Sequence, residues 1–407
     1  MGCDVTTQHG RAEGVIDLAR GDPGRDLLPA DLVQRAAARA TARLDPDLLQ
    51  YGFEPGDAGA RASLSDWLAS EGAGEVAPER VFLTAGASLA LHLVCTLFTR
   101  PGDRVLVADP TYHLALAQFT DHGLRVEGIA SDAGGVVAEA LEEALRAGPA
   151  ALLYLVPAFA NPTGTTLSPE RQVAVVELAA RHGVRLVADE VYRLTGFEAE
   201  PAGARTAPPR SLAALDPERV LSLNSVSKVL SPGLRLGWIE GPASDLARIA
   251  SCGLLRSGGG MNPFAAALVR EAIVSGELSA HVALVRERLR ERHAALAAAL
   301  GTELPQASFA PARGGYFLWA RVPGLDADSP GARAAFARHA VRVASGTPFV
   351  AAPERVTATS TSDRAAGAAT PALDPREHLR LCFAHQRPAA LREGVSRLAA
   401  ALRDVDR

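Results

Sequence analysis

The chain has 407 residues, 48% of them apolar and 22% charged, and a net charge of −4. That length accommodates two to three domains around sizeable cores, and the near-neutral balance gives no reason to expect nucleic acid or an anionic membrane as a partner. No apolar run reaches the length of a membrane span and the polar N-terminus lacks a secretory apolar stretch, so a cytoplasmic protein is expected. Cys3, Cys95, Cys252 and Cys382 are scattered without a CxxC pair, which predicts free thiols.

Taken in chain order, apolar runs rich in β-branched residues begin near residue 80. VFLT (81–84), RVLVA (104–108), LRVEGI (124–129) and ALLYLV (151–156) read as buried strands, and VRLVAD (184–189), RVLSLN (219–224) and LRLGWIE (234–240) continue the series. Helices fall between several of them, notably 88–98 and 169–182, the latter entered through Ser168 and Pro169. This alternation predicts a mostly parallel sheet covered on both faces. Residues 280–300 read as a long amphipathic helix leading to a smaller α+β unit that holds strands at 314–322 and 378–384. The Ala-, Thr- and Ser-rich stretch 352–374 reads as a surface loop.

One residue stands apart chemically. Among 42 basic residues Lys228 is the only lysine, in NSVSKVLSPGLRLGW (224–238). A guanidinium stays protonated and cannot serve as an amine nucleophile, so a lysine retained in an arginine-rich chain marks a place where a neutral amine is required. Other candidates fall where open α/β sheets bind ligands, at the carboxyl ends of strands. Asp189 ends a strand in ADEVY, with Tyr192 three residues on; Asn161 opens NPTG; Gly86, Ala87 and Ser88 sit at a helix start whose free N–H groups suit a phosphate; and Arg235 follows the lysine beyond a turn. Each alone has an ordinary explanation as a cap, a turn or core packing. Their conjunction in one chain order does not.

The motifs NPTG, ADEVY, SVSKVLSPGLRLGW and RLCFA, with weaker support from the glycine turn and ADPTY, resemble those of the class I/II aminotransferases, pyridoxal-phosphate enzymes of fold type I, over residues 15–400. The resemblance implies a large domain with a mostly parallel seven-stranded sheet (46–285). It also implies a small C-terminal domain (286–407) and an N-terminal arm that belongs partly to it (1–45). Pyridoxal 5′-phosphate would be held by Lys228 as an internal aldimine, with Asp189 at the pyridine nitrogen, Tyr192 and Asn161 at the phenolic oxygen, and Tyr112 stacked on the ring. Gly86, Ala87, Ser88, Ser225, Ser227 and Arg235 would cup the phosphate. Arg380 would grip the substrate α-carboxylate, beside Asn161. Tyr51 would reach the partner's phosphate in a homodimer with shared sites.

The activity implied is transamination between an amino acid and a 2-oxo acid, with a role in amino-acid metabolism or biosynthesis. A lyase, decarboxylase, cyclase or oxidase on the same fold remains open, because the cofactor serves each of them. Val226 between the two serines, Ala160 before the asparagine and the long 348–375 segment depart from the family pattern. A regulator with a DNA-binding domain is the least favoured reading, since few residues precede VIDLARGDPG (15–24) and the chain is not basic. The substrate side chain is expected to meet 18–29, Arg313 to Tyr316 and Ser345 to Phe349.

Overall fold

The computed structural model describes residues 14–42, 46–197, 208–351 and 374–405. The expected loop at 352–374 lies outside them except for its last residue, as does Cys3. Strand β1 (Ile16–Asp17) and helices α1 (Ala30–Ala42) and α2 (Ala58–Ser70) come first. The apolar runs then become β2 (Val81–Thr84), β3 (Arg104–Asp109), β4 (Arg125–Asp132), β5 (Gly135–Val136), β6 (Leu152–Leu155), β7 (Arg185–Asp189), β8 (Val220–Ser225) and β9 (Gly237–Glu240). Between them run α3 (Ala87–Phe98), α4 (His113–Asp121), α5 (Ala138–Arg146) and α6 (Pro169–His182).

These eight strands form one sheet in the order β2-β9-β8-β7-β6-β3-β4-β5. From β8 to β4 every pairing is parallel. Every residue of β6 is buried, and so are the last four of β7, which is why these strands read as continuous rather than alternating apolar runs. The count exceeds the expected seven by β5, a two-residue antiparallel edge on β4 too short to show as an apolar run. β9 is antiparallel to both its neighbours. The connection 226–236 is too short for a crossover helix, so the chain must turn back on β8, and that return brings Lys228 and Arg235 to the same end of the sheet.

Helix α6 begins where its sequence signals say. The Ser168 hydroxyl accepts from the Arg171 N–H (3.4 Å), Pro169 occupies the first turn, and Gly183 ends the helix at φ 66°. Beyond the sheet come α7 (Ala243–Ala250), α8 (Gly253–Gly258), α9 (Pro263–Val274) and the 27-residue α10 (Glu277–Glu303). Leu278, Val282, Val285, Leu289, Leu296 and Leu300 of α10 are buried, at the three- and four-residue spacing of one helical face. The remainder holds β10 (Ser308–Phe309), β11 (Phe317–Arg321), α11 (Pro330–Arg338), β12 (Val341–Arg342), β13 (Ala344–Ser345), β14 (His378–Cys382) and α12 (Pro388–Val405). A second sheet runs β10-β11-β14-β13, while β1 pairs in parallel with β12, so the N-terminal segment is stitched onto the C-terminal part of the chain. Among the described residues no helix is long and apolar enough to cross a membrane, and Cys95, Cys252 and Cys382 are free thiols.

Candidate active site

Because β3, β6, β7 and β8 run in parallel, their carboxyl ends deliver Asp109, the 156–161 segment, Asp189 and Ser225 to one edge of the sheet. A cavity of about 420 Å³ opens there. Of the residues singled out in the sequence, Ala87, Ser88, Tyr112, Asn161, Asp189, Tyr192, Ser225, Ser227, Lys228, Arg235 and Arg380 all line it. Gly86 sits immediately behind, as the N-cap of α3. Tyr51 does not line it and is 78% exposed.

The Lys228 amine lies in a one-turn helix (Val226–Lys228) directly after β8 and donates to the Gly21 carbonyl at 3.1 Å. Its Nζ is 5.4 Å from the Tyr192 ring centre and 5.3 Å from that of Tyr316. Burial holds its pKa below the usual lysine value, which favours the neutral amine. Tyr316 in turn donates its hydroxyl to the Lys228 carbonyl at 2.7 Å, pinning the backbone of that turn. Asp189 is buried, and burial pushes its carboxyl up to about 6 against the opposing hydrogen bond from Tyr154, whose hydroxyl donates to Oδ2 at 2.7 Å.

At the opposite wall stands Arg380, from β14. Its Nη1 donates to Asn161 Oδ1 (3.0 Å) and its Nη2 to the Ala19 carbonyl (2.6 Å), while Nε is buried without a partner. The guanidinium is sandwiched between Phe317 (4.3 Å to the ring centre) and Phe349 (4.7 Å), and burial lowers its pKa. A planar cation fixed by two rings, with an unused N–H, is built to receive a carboxylate in the plane of the fork.

The third wall is a cup of hydrogen-bond donors. Gly86 has φ 86° and no side chain caps the first turn of α3, so its N–H groups are available. A Cβ on Gly86 would collide with Arg235 Nη2 and push the guanidinium aside, and the positive φ itself favours glycine here. Arg235 itself adopts φ 50° and donates to the Ala85 carbonyl at 3.0 Å. Ser225 and Ser227 face each other at 2.8 Å between their hydroxyls. Tyr112, at the N-cap of α4, has its phenol pushed up to about 12 by burial and stays neutral.

Several contributors carried no motif. Gly21 and Asp22 line the cavity within the expected 18–29 stretch, whereas from the 313–316 neighbourhood the lining residue is Phe317, not Arg313, whose carbonyl accepts from the Phe197 N–H. From 345–349, Phe349 acts through the Arg380 guanidinium. Tyr154 and His113 were not singled out. His113 carried no signal; for Tyr154 the available one was composition, since of five tyrosines in the chain Tyr112, Tyr154, Tyr192 and Tyr316 gather at this site.

Residues 13–398 match the family of class I and II aminotransferases, and the chain belongs to it. It is 28% identical to aromatic-amino-acid aminotransferase 1 of Thermococcus litoralis over 77% of this chain and 75% of that one. It is also 30% identical over 75% of its length to an uncharacterized HTH-type transcriptional regulator, YisV of Bacillus subtilis, and spans 61% of that relative's length. The structure superposes on LysN, the α-aminoadipate aminotransferase of Thermus thermophilus complexed with N-(5′-phosphopyridoxyl)-L-leucine. The TM-score is 0.80 at 28% identity, covering 97% of this chain and 93% of the other. The fold is that of fold-type I aminotransferases, and the family's cofactor is pyridoxal 5′-phosphate. The residues present fit it: an amine on the one lysine, a glycine cradle with serine hydroxyls and a guanidinium for the phosphate, and a buried carboxylate between them.

Proposed function

We propose that this protein is a pyridoxal-phosphate-dependent aminotransferase that moves an amino group between an amino acid and a 2-oxo acid. The observation that carries the reading is the convergence of the sole lysine amine, the buried Asp189 carboxyl and the ring-sandwiched Arg380 on one cavity. When bound, the cofactor supplies an aldehyde to capture the amine and a ring to take up the electron pair left at Cα. Gly86, Ala87, Ser88, Ser225, Ser227 and Arg235 would hold its phosphate, Tyr112 would cover its ring, and Tyr192 and Asn161 would hydrogen-bond its phenolic oxygen. Asp189 would keep a proton on its pyridine nitrogen. Arg380, with Asn161, holds the α-carboxylate and so turns the Cα–H bond toward Lys228. The Lys228 amine, whose charge burial disfavours, would take the proton from Cα.

Three further assignments belong to this reading. The division into an N-terminal arm (1–45), a large domain (46–285) and a small domain (286–407) is supported by the separate sheets and by the β1–β12 pairing. A homodimer with shared sites is supported by the exposure of Leu49 (72%), Tyr51 (78%) and Phe53 (75%) on one short stretch of chain. A place in amino-acid metabolism or biosynthesis follows from the substrates proposed, and a cytoplasmic location is part of the same proposal.

The test is a half-reaction. Cofactor-loaded protein given a panel of amino acids and no acceptor should release one equivalent of 2-oxo acid per chain and then stop until a 2-oxo acid is added. Continued release of carbon dioxide, ammonia or a side-chain fragment would assign the chain to a decarboxylase, oxidase or lyase instead. The similarity to YisV favours a second reading, a ligand-sensing regulator module. Binding of an amino acid to the loaded protein with no 2-oxo acid released from any member of the panel would support that one.

A further inference from the structure

Tyr154 lies in β6 opposite Val187 of β7, and Asp189 is two residues beyond Val187, so tyrosine and carboxylate are diagonal neighbours on one face of the sheet. The Tyr154 side chain is fully buried, its ring packs edge-on against Phe119 of α4 (5.4 Å between centres), and its hydroxyl reaches Asp189 Oδ2 at 2.7 Å. The other oxygen, Oδ1, meets the Val191 N–H at 3.4 Å. Asp189 is therefore held from beneath the sheet edge while it faces the cavity. We propose that Tyr154 is a positioning residue that acts through Asp189, orienting its carboxylate and limiting its basicity so that a shared proton stays on the ring nitrogen of the bound cofactor. This rests on the assignment of Asp189 to that nitrogen.

The direction follows from the donor. Burial keeps the Tyr154 phenol well above its usual pKa, so it retains its proton and can donate it to the Asp189 carboxylate. A hydrogen bond donated to a carboxylate stabilises the charged form and makes it a weaker base. Of the other ionisable groups around Asp189, Lys228 also favours the carboxylate and Glu190 opposes it, while Tyr112 and Tyr192 stand on the cavity side. Without the phenol, Asp189 becomes more basic and freer to rotate, and draws the proton off the ring.

The experiment uses holoprotein loaded with cofactor labelled with 15N in the ring. Tyr154→Phe removes one O–H and keeps the ring against Phe119. Its 15N resonance should move from the pyridinium position toward neutral pyridine, and kcat should fall roughly tenfold, about the effect of one charge-assisted hydrogen bond, with KM for the amino donor little changed. Replacing Tyr154 with 3-fluorotyrosine, a similar-sized but stronger donor, should move the resonance the other way. Introducing Tyr154→Phe into Asp189→Asn should add nothing, because the path runs through Asp189. If Asp189→Asn shifts the resonance while neither Tyr154 variant does, Tyr154 is only a packing residue and the inference falls. If Asp189→Asn itself leaves the resonance unmoved, the assignment of Asp189 falls, and the inference with it.

Discussion

Lys228 and Asp189 have opposite problems in the same cavity, and both are set by burial. For the lysine, the lowered pKa brings the amine nearer neutrality, and only a primary amine can then capture an aldehyde. Borohydride reduction of the loaded protein should fix one pyridoxyl group per chain and block trypsin at Lys228, leaving Val220–Arg235 as one peptide; Lys228→Arg should fold but fix none. For the aspartate, a folded pKa of about 6 against the ordinary 3.8 means that the folded state binds the proton more tightly than the unfolded state between those values. Stability from this group is full below about 4 and lost as pH rises through 6, a loss on the order of 3 kcal/mol in the apoprotein. Apo Asp189→Asn, neutral throughout, should therefore melt higher than apo wild type at pH 8, with the gap closing at pH 4. A gap independent of pH would show that Asp189 is not buried as a charge.

At the scale of elements, the turn from β2 into α3 and the ends of β7, β8 and β9 carry the site. Gly86→Ala places a side chain where Arg235 Nη2 stands and adds the backbone cost of a positive φ. Fluorescence titration of the apoprotein should find cofactor affinity lowered roughly tenfold or more, consistent with about 1–2 kcal/mol of backbone strain plus a displaced phosphate partner. Combining it with Arg235→Ala should cost less than the sum, since both act on one guanidinium. Behind the site, Arg193 is nearly fully buried between Glu190 (3.5 Å) and Glu240 (3.7 Å) and donates to the Ala73 carbonyl at 2.7 Å. Glu190 also accepts from the Ser211 and Ser222 hydroxyls, and Glu240 accepts from Trp238 Nε1 and Asn224 Nδ2, so one buried polar network links the end of β7 to β8 and β9. Arg193→Met strands two carboxylates and should destabilise the protein by about 3–5 kcal/mol in urea titration. Neutralising the pair in addition, with Glu190→Gln and Glu240→Gln, should recover part of that.

At the scale of the whole molecule, the question is whether one chain makes a complete site. Tyr51 is exposed on its own chain, with Leu49 and Phe53 on either side of it. If it serves a neighbouring copy, mixing Lys228→Ala chains with Tyr51→Ala chains should restore activity, because half of the sites in a mixed dimer carry neither change. Absence of recovery while sedimentation shows mixed dimers forming would place Tyr51 outside the site.

Much of this protein was legible in its sequence because the deciding physics is local or chemical. Strands buried on both faces must be continuously apolar, so β6 and β7 were legible; Ser168 and Pro169 marked the start of α6 through backbone hydrogen bonding within its first turn. The sole lysine was identifiable because no other side chain in the chain offers that amine. The seven longer strands were foreseen, but β5 was not, since two residues make no pattern. The antiparallel β9, the Gly21 carbonyl that receives Lys228, the Phe317–Arg380–Phe349 sandwich and the Tyr154–Asp189 bond were settled by tertiary structure alone. Each joins segments that only the closed sheets bring together: Lys228 and Gly21 are 207 positions apart, and Arg380 and Ala19 are 361 apart. Sequence patterns record what a residue needs from its own element and from the solvent, whereas the partner across a cavity is chosen by how the elements pack.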